Sequence, residues 1–195
     1  MKKISSLSII TIMLLAVASC KNGGKVRQDA TDSAEASQDA SHRQDSIAAS
    51  QENKNDLKFV NIAANDGMAE VAVGKIAQKN AFNPKVKKFA TMMVTDHSRV
   101  NNELSALAKA ENIALPLSPD TASQMKAGDL EKRKGTDFDN SYVNAMLAGH
   151  EGAVKLFTNE SENGKDPNMK AFAIRTLPTL IMHLKAIKEI KADMR

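Results

Sequence analysis

Residues 83–107 read NPKVKKFATMMVTDHSRVNNELSAL, and the spacing of their apolar side chains decides the fold. Val86, Phe89, Ala90, Met93, Val100, Leu104 and Leu107 recur at spacings of three, four and seven, the period of an α-helix that buries one face. Asn83 followed by Pro84 is a helix start. The Asn side chain accepts a hydrogen bond from the first turn, and proline lacks an N–H that would go unpaired there. His97 breaks the stripe, standing where the period expects an apolar residue.

Three further segments share this pattern. The first runs from about Asp56 to Asn80, with Phe59, Ile62, Ala63, Asp66, Glu70, Val73 and Ala77 along one stripe. Another opens with Thr136-x-x-Asp139, a relative of the capping box, and continues through Phe138, Tyr142, Met146, His150, Ala153 and Phe157. The last begins with Asp166-Pro167 and carries Met169, Phe172, Ala173, Thr176, Leu180, His183, Ile187 and Ile190. The first two helices, like the last two, are joined by only a few residues, so each pair is an antiparallel hairpin. Between the pairs, Asn112 to Gly135 is long enough to travel the length of a bundle, and holds a helix-start signal at Ser118-Pro119. Two hairpins joined by one long crossover make the expected fold class all-α, a ferritin-like four-helix bundle over residues 57–195.

Composition agrees. Of 195 residues, 42% are hydrophobic and only 4% aromatic, with no Trp and one Tyr, which argues against a sheet built on aromatic cross-strand pairs. The formal net charge of +4 includes Lys2 and Lys3 of a removable leader, so the surplus is too small to point to nucleic acid. Residues 1–19 have the layout of a signal peptide: basic start, apolar stretch from Ile4 to Val17, small residues at the end. The run Val17-Ala18-Ser19-Cys20 resembles a bacterial lipobox, which makes Cys20 the expected lipidation site and the bilayer the expected partner. Cys20 is the only cysteine, so lipidation leaves no thiol for a disulfide or a thiolate metal site. Residues 20–56 hold few large apolar side chains and read as the lipidated Cys with a flexible tether. The expected location is the bacterial cell envelope, at the outer membrane facing the periplasm.

Four polar residues lie in otherwise apolar stripes, one per helix: Glu70, His97, His150 and His183. A rise of 1.5 Å per residue puts them about 18, 22, 22 and 27 Å from the neighbouring hairpin turns, so they share one layer or two adjacent layers. A buried carboxylate must be paired, neutralised or bound to a cation. Either the cluster holds one metal ion, or it is a hydrogen-bonded network with one charged imidazole paired to Glu70. Asp66, one turn before Glu70, could join as a ligand or support one. A di-iron centre is excluded, because Val94 and Leu180 stand where its Glu-x-x-His motifs need Glu. A histidine-rich single site suits Zn, Cu, Ni or Fe. Met93 and Met146, each one turn before a His, would favour Cu(I) if they were ligands and core filling otherwise. Pro178 is expected to kink the last helix. Asp96 and Glu151 point about 100° away from the adjoining histidines and read as surface charges.

Phe59-Val60 with Gly67-Met68-Ala69-Glu70, Phe89-Ala90-x-Met92-Met93-x-x-Asp96-His97, Phe138-Asp139-x-x-Tyr142 followed by His150, and Leu177-Pro178-x-Leu180-x-x-His183-Leu184 occur in this order. Together they resemble the bacterial domain of unknown function 4142 family over about residues 57–191. The resemblance implies a ferritin-like four-helix domain, commonly exported and often described as an outer-membrane protein, with no established activity. Its motif positions fall on Glu70, Asp96, His97, Asp139, Tyr142, His150, Pro178 and His183.

The leading functional expectation is a lipid-anchored envelope domain that binds one metal ion for storage, sensing or protection. A structural or interaction module, whose polar core only fixes helix register, is the alternative. An enzyme would rest on an open coordination position alone, since nucleophile triads, phosphate-binding glycine loops and zinc-protease motifs are absent.

Overall fold

A computed structural model describes the backbone of residues 32–194 and the side chains of residues 54–194. The leader and Cys20 lie outside the described residues, as do the first residues of the expected tether. The described residues form five α-helices: α1 Asp32–Asn80, α2 Pro84–Ala110, α3 Thr121–Glu131, α4 Gly135–Asn163 and α5 Pro167–Asp193. The bundle belongs to the unit Arg43–Arg195. None of these helices is long and apolar enough to cross a membrane.

Helix α1 starts at Asp32, well before the Asp56 that apolar periodicity marks. Periodicity reports only the packed part. Once residues 56–80 are helical, Ala- and Gln-containing residues upstream extend the helix without a new nucleation penalty.

Both hairpins begin their second helix as the spacing requires. Asn83 caps α2 by accepting from Lys85 N, and Asp166 caps α5 by accepting from Asn168 N and Met169 N. Each turn is also held from across the bundle. The Asp139 carboxylate on α4 accepts from Phe82 N at 3.0 Å and Asn83 N at 2.7 Å in the α1–α2 turn. Asp56 on α1 accepts from Asp166 N at 2.7 Å and Lys165 N at 3.3 Å in the α4–α5 turn. The start of α4 therefore sits at the α1–α2 turn, and its end lies beside the early turns of the packed part of α1. Helices α1 and α5 run one way and α2 and α4 the other, the up-down-down-up order of a ferritin-like bundle.

The Thr136-x-x-Asp139 capping box is not formed. The α4 N-cap is Lys134, without a side-chain cap bond, and Asp139 lies inside the helix, committed to the neighbouring turn. Gly135, at φ +58°, makes the reversal from α3 into α4 that an L side chain would resist.

The crossover carries a helix of its own. Asp120, two residues after the Ser118-Pro119 signal, caps α3 by accepting from Ser123 N. Asn65 of α1 accepts from Asp120 N at 2.7 Å, and Asn80 of α1 donates to the Glu131 carbonyl at 3.1 Å. These two contacts lay α3 along α1, parallel to it, so the crossover does span the bundle.

Two apolar clusters fill the interior. One contains Val73, Val86, Phe89, Met93, Phe138, Tyr142 and Ile187, and the other Phe59, Val60, Leu104, Phe157, Met169, Phe172 and Leu180. Glu70, His97, His150 and His183 form a buried polar layer that belongs to neither cluster.

Glu160, in the last turn of α4, is a buried acid without an obvious partner. It is 3% exposed, and its Oε1 has no hydrogen bond among the described residues. Burial, with the charges of Asp56 and Asp166 nearby, pushes its carboxyl up to about 7, partly offset by Lys170. The helix C-terminus opposes an anion there as well. Because the folded state holds this proton more tightly than the unfolded chain, the contribution of Glu160 to stability is fully present below about pH 4.5 and is lost as pH rises through about 7. Glu160→Gln is expected to melt roughly 5 °C above the parent at pH 8 and level with it at pH 4.5. Parallel melting curves across that range, measured by circular dichroism, would contradict the assignment.

Candidate metal centre

Each long helix delivers one polar side chain to the mid-bundle layer. Glu70 comes from α1, His97 from α2, His150 from α4 and His183 from α5, with exposures of 8, 4, 0 and 0%. The imidazole centroids are 5.7 Å apart for His97 and His150, and 5.4 Å for each of the other pairs. The four residues thus share one layer. One ring nitrogen from each histidine lies within 4.8 Å of the other two. Nitrogens bound to one tetrahedral ion at about 2.0 Å stand roughly 3.3 Å apart, so closure needs movements of about 1 Å.

Hydrogen bonding sets which nitrogen each ring has available. His150 donates Nδ1–H to the Met146 carbonyl at 2.9 Å, which leaves the Nε2 lone pair free in the neutral ring. His183 donates Nε2–H to Asp96 Oδ2 at 2.9 Å, which leaves Nδ1 free. Both free nitrogens are buried without a hydrogen-bond partner among the described residues, and so is Nε2 of His97. Buried polar atoms are almost always paired, so the two orphans on His150 and His183, beside a His97 that has only the Glu70 carboxylate near its Nε2, point to an absent partner.

Glu70 borders this set on one side. Its Oε2 is 2.8 Å from His97 Nε2, the distance of an ion pair. Its Oε1 is 3.5 Å from His150 Nδ1. Burial alone would raise the Glu70 carboxyl, but His97, His150 and His183 outweigh it and hold the group below its ordinary range. Burial pushes His150 down despite Glu70, and pushes His183 down despite its bond to Asp96. Both rings are therefore neutral near pH 7, the form in which an imidazole lone pair can bind a metal. An anionic carboxylate beside neutral imidazoles is a nitrogen-rich donor set that fits Zn, Cu, Ni or Fe.

Asp66, exposed and one turn before Glu70, accepts from Asn65 Nδ2 at 3.1 Å, and the protein around it raises its carboxyl through partial desolvation. With Glu70 and His97 it lines a cavity of about 20 Å³, a volume suited to one water or ion. Met93 and Met146 are buried in the apolar cluster, and the contact of Met146 with His150 is through its carbonyl oxygen. Tyr142 is fully buried, stacked on Phe138, and its hydroxyl has no partner among the described residues. Burial, with the Glu70 charge, raises its hydroxyl.

Asp96 corrects the sequence reading. It is not a surface charge but the residue that orients His183. The helical wheel compares it only with His97 on its own helix, while its partner arrives on α5. Glu151 does lie at the surface, 3.7 Å from Lys188. Pro178 sits on the exposed face of α5, as does Ile174, the residue whose carbonyl it deprives of a partner, and α5 continues through it to Asp193.

The fold is shared with solved structures. A DUF305 fragment from Deinococcus radiodurans superposes with a TM-score of 0.60 at 13% identity, covering 70% of this chain and 94% of that one. A DUF305 protein from Streptomyces coelicolor, described as secreted, gives 0.62 at 14% identity, covering 72% and 92%. A protein named CopM, in its Cu(II)-bound form, gives 0.61 at 18% identity, covering 72% and 97%. At these identities the likeness establishes the fold alone. No curated protein matches the chain. Residues 41–190, which include all four polar-layer residues, match the domain of unknown function DUF4142, and the chain belongs to that family.

Proposed function

We propose that this domain binds a single transition-metal ion, with nitrogen donors from His97, His150 and His183 and an oxygen donor from Glu70. The observation that carries the reading is the convergence of three buried imidazoles, each with one ring nitrogen within 4.8 Å of the other two. The bound ion would supply neutralisation of the layer and a fixed coordination centre. The chain's own part is to orient the rings through Asp96 and the Met146 carbonyl, and to exclude bulk water with the apolar clusters on either side. Copper binding by the structurally similar CopM makes copper a natural first ion to test.

Protein purified without a His tag and loaded with Zn(II), Cu(II), Ni(II) or Fe(II) is expected to retain one ion per chain. A hundredfold excess over Kd adds about 2.7 kcal/mol of stability, so the melting point should rise by roughly 8 °C and return on chelation. Retention of no ion, with melting indifferent to chelator, would leave the alternative, that the Glu70–His97 pair and its neighbours only fix helix register. Asp96→Asn keeps the shape but weakens the acceptor for His183. It is expected to lower metal affinity about 10- to 100-fold, read by competition with a chromophoric chelator. Unchanged affinity would remove Asp96 from the site.

The leader and Cys20 support attachment of the domain to the cell envelope by lipid, at the outer membrane facing the periplasm, and metal storage, sensing or protection there. Cys20→Ser is expected to move the protein from the membrane to the soluble fraction. Continued membrane association of a normally cleaved variant would refute the anchor.

A further inference from the structure

An ion bound in this layer must pass through a packed bundle, because none of Glu70, His97, His150 and His183 is more than 8% exposed. Two grooves reach a residue of the layer or its hydrogen-bond partner, and a third, about 450 Å³ beside Asn61 and Pro116, touches Asp66 but not Glu70. The largest, about 760 Å³ between α2 and α5, has Phe89, Met92 and Ile190 in its lining, together with Asp96, whose carboxylate is engaged by His183. It shares no lining residue with the small cavity beside His97.

The second groove, about 530 Å³, lies between α1 and α4 with Ser123 and Lys126 of α3 on its rim. Its lining includes Ala69, Gly149 and Gly152, and it reaches Glu70 directly. A Cβ placed on Gly149 would come within 3.4 Å of Glu70 Oε1, while one placed on Gly152 would meet nothing within 4 Å. Asp66, Glu70 and Ala153 line both this groove and the small inner cavity. The inner cavity is also lined by His97, whose buried Nε2 faces Glu70 Oε2 at 2.8 Å. A path therefore leads from solvent past two carboxylates to a ligand nitrogen held 2.8 Å from the second of them. The two carboxylates lie one helical turn apart on α1, a step of about 6 Å.

Resting on the metal-binding reading above, we propose that the α1–α4 groove beside α3 is the passage for the ion. Asp66 is the carboxylate that first receives it, and Glu70 the one that delivers it to His97. Carboxylate oxygens replace departing waters one at a time, so a divalent ion is never stripped of ligands in the apolar interior. Lys126 faces Asp66 from α3 and offsets its charge while no ion is present. The small residues of α4 keep the groove open, and side chains added there would obstruct transit without touching the ring nitrogens.

Stopped-flow uptake of Co(II) by the full chain, followed by its visible absorption, tests the route. Gly152→Leu fills the groove from α4, and Ser123→Trp fills it from α3, outside the four-helix core. Each is expected to slow both uptake and release on the order of tenfold by the same factor, with equilibrium affinity unchanged, because a barrier alters rates and not end states. Thr95→Leu, in the α2–α5 groove, is expected to leave both rates as in the parent. If the parent binds Co(II) but neither filled variant slows uptake, or Thr95→Leu slows it instead, the route is overturned and the metal site stands. If the parent takes up no Co(II), both ideas fall together. Should Gly152→Leu not fold, Ser123→Trp alone decides.

Discussion

His150→Leu is expected to eliminate metal retention while leaving the bundle folded. His150 is wholly buried, its Nε2 has no hydrogen-bond partner among the described residues, and the residue belongs to the three-histidine cluster. Loss of a residue that only orients a ligand costs about 10- to 100-fold in affinity, so loss of a donor should exceed about 100-fold. Leucine has a similar volume and brings no polar atom into the core. Replacing a buried polar group by a packed apolar one is often neutral or stabilising, so the metal-free melting point should stay level or rise. Glu70 retains His97 as its partner at 2.8 Å. The decisive pair of measurements is ion content by mass spectrometry and metal-free melting. A variant that still retains one ion per chain would show that His150 is not a ligand.

The second large effect concerns stability. Asp139→Ala removes the carboxylate that accepts from Phe82 N and Asn83 N, the contact by which α4 holds the opposite hairpin turn. Hydrogen bonds to a charged acceptor contribute about 1.5–3 kcal/mol each. Asp139 is 2% exposed, so water does not readily replace it, and about 3 kcal/mol should be lost. The melting point should fall by about 10 °C. Asp139→Asn keeps an acceptor and should lose about half as much. Asp56→Ala should act in the same direction, since Asp56 holds the other turn. A decrease under about 2 °C for Asp139→Ala would mean that the turns are fixed by their own Asn-Pro and Asp-Pro caps alone.

The two carboxylates illustrate how far local pattern reaches. Asn83-Pro84 and Asp166-Pro167 announce helix starts because capping involves atoms two or three residues apart. The roles of Asp139 and Asp56 connect residues more than fifty apart, and no period along the chain encodes them. A reading limited to neighbouring residues therefore places Asp139 in a local box, and it leaves Asp96 at the surface because its bond to His183 spans α2 and α5. The adjacency of Asp96 and His97 within a family motif was the signal that could have drawn attention to it.

Apolar spacing, caps and connection lengths determined the four long helices, the two hairpins and the crossing segment, because each depends on interactions within a few turns of chain. The same spacing placed Glu70, His97, His150 and His183 on inward faces. It could not determine their convergence, since small differences in helix register move a side chain by several ångströms, and register is set by packing across the bundle. Only the tertiary structure decided that the three rings share one layer, which nitrogen each leaves unpaired, and which groove leads to them. Those properties come from distances between helices, and a sequence specifies such distances only through the whole packed core.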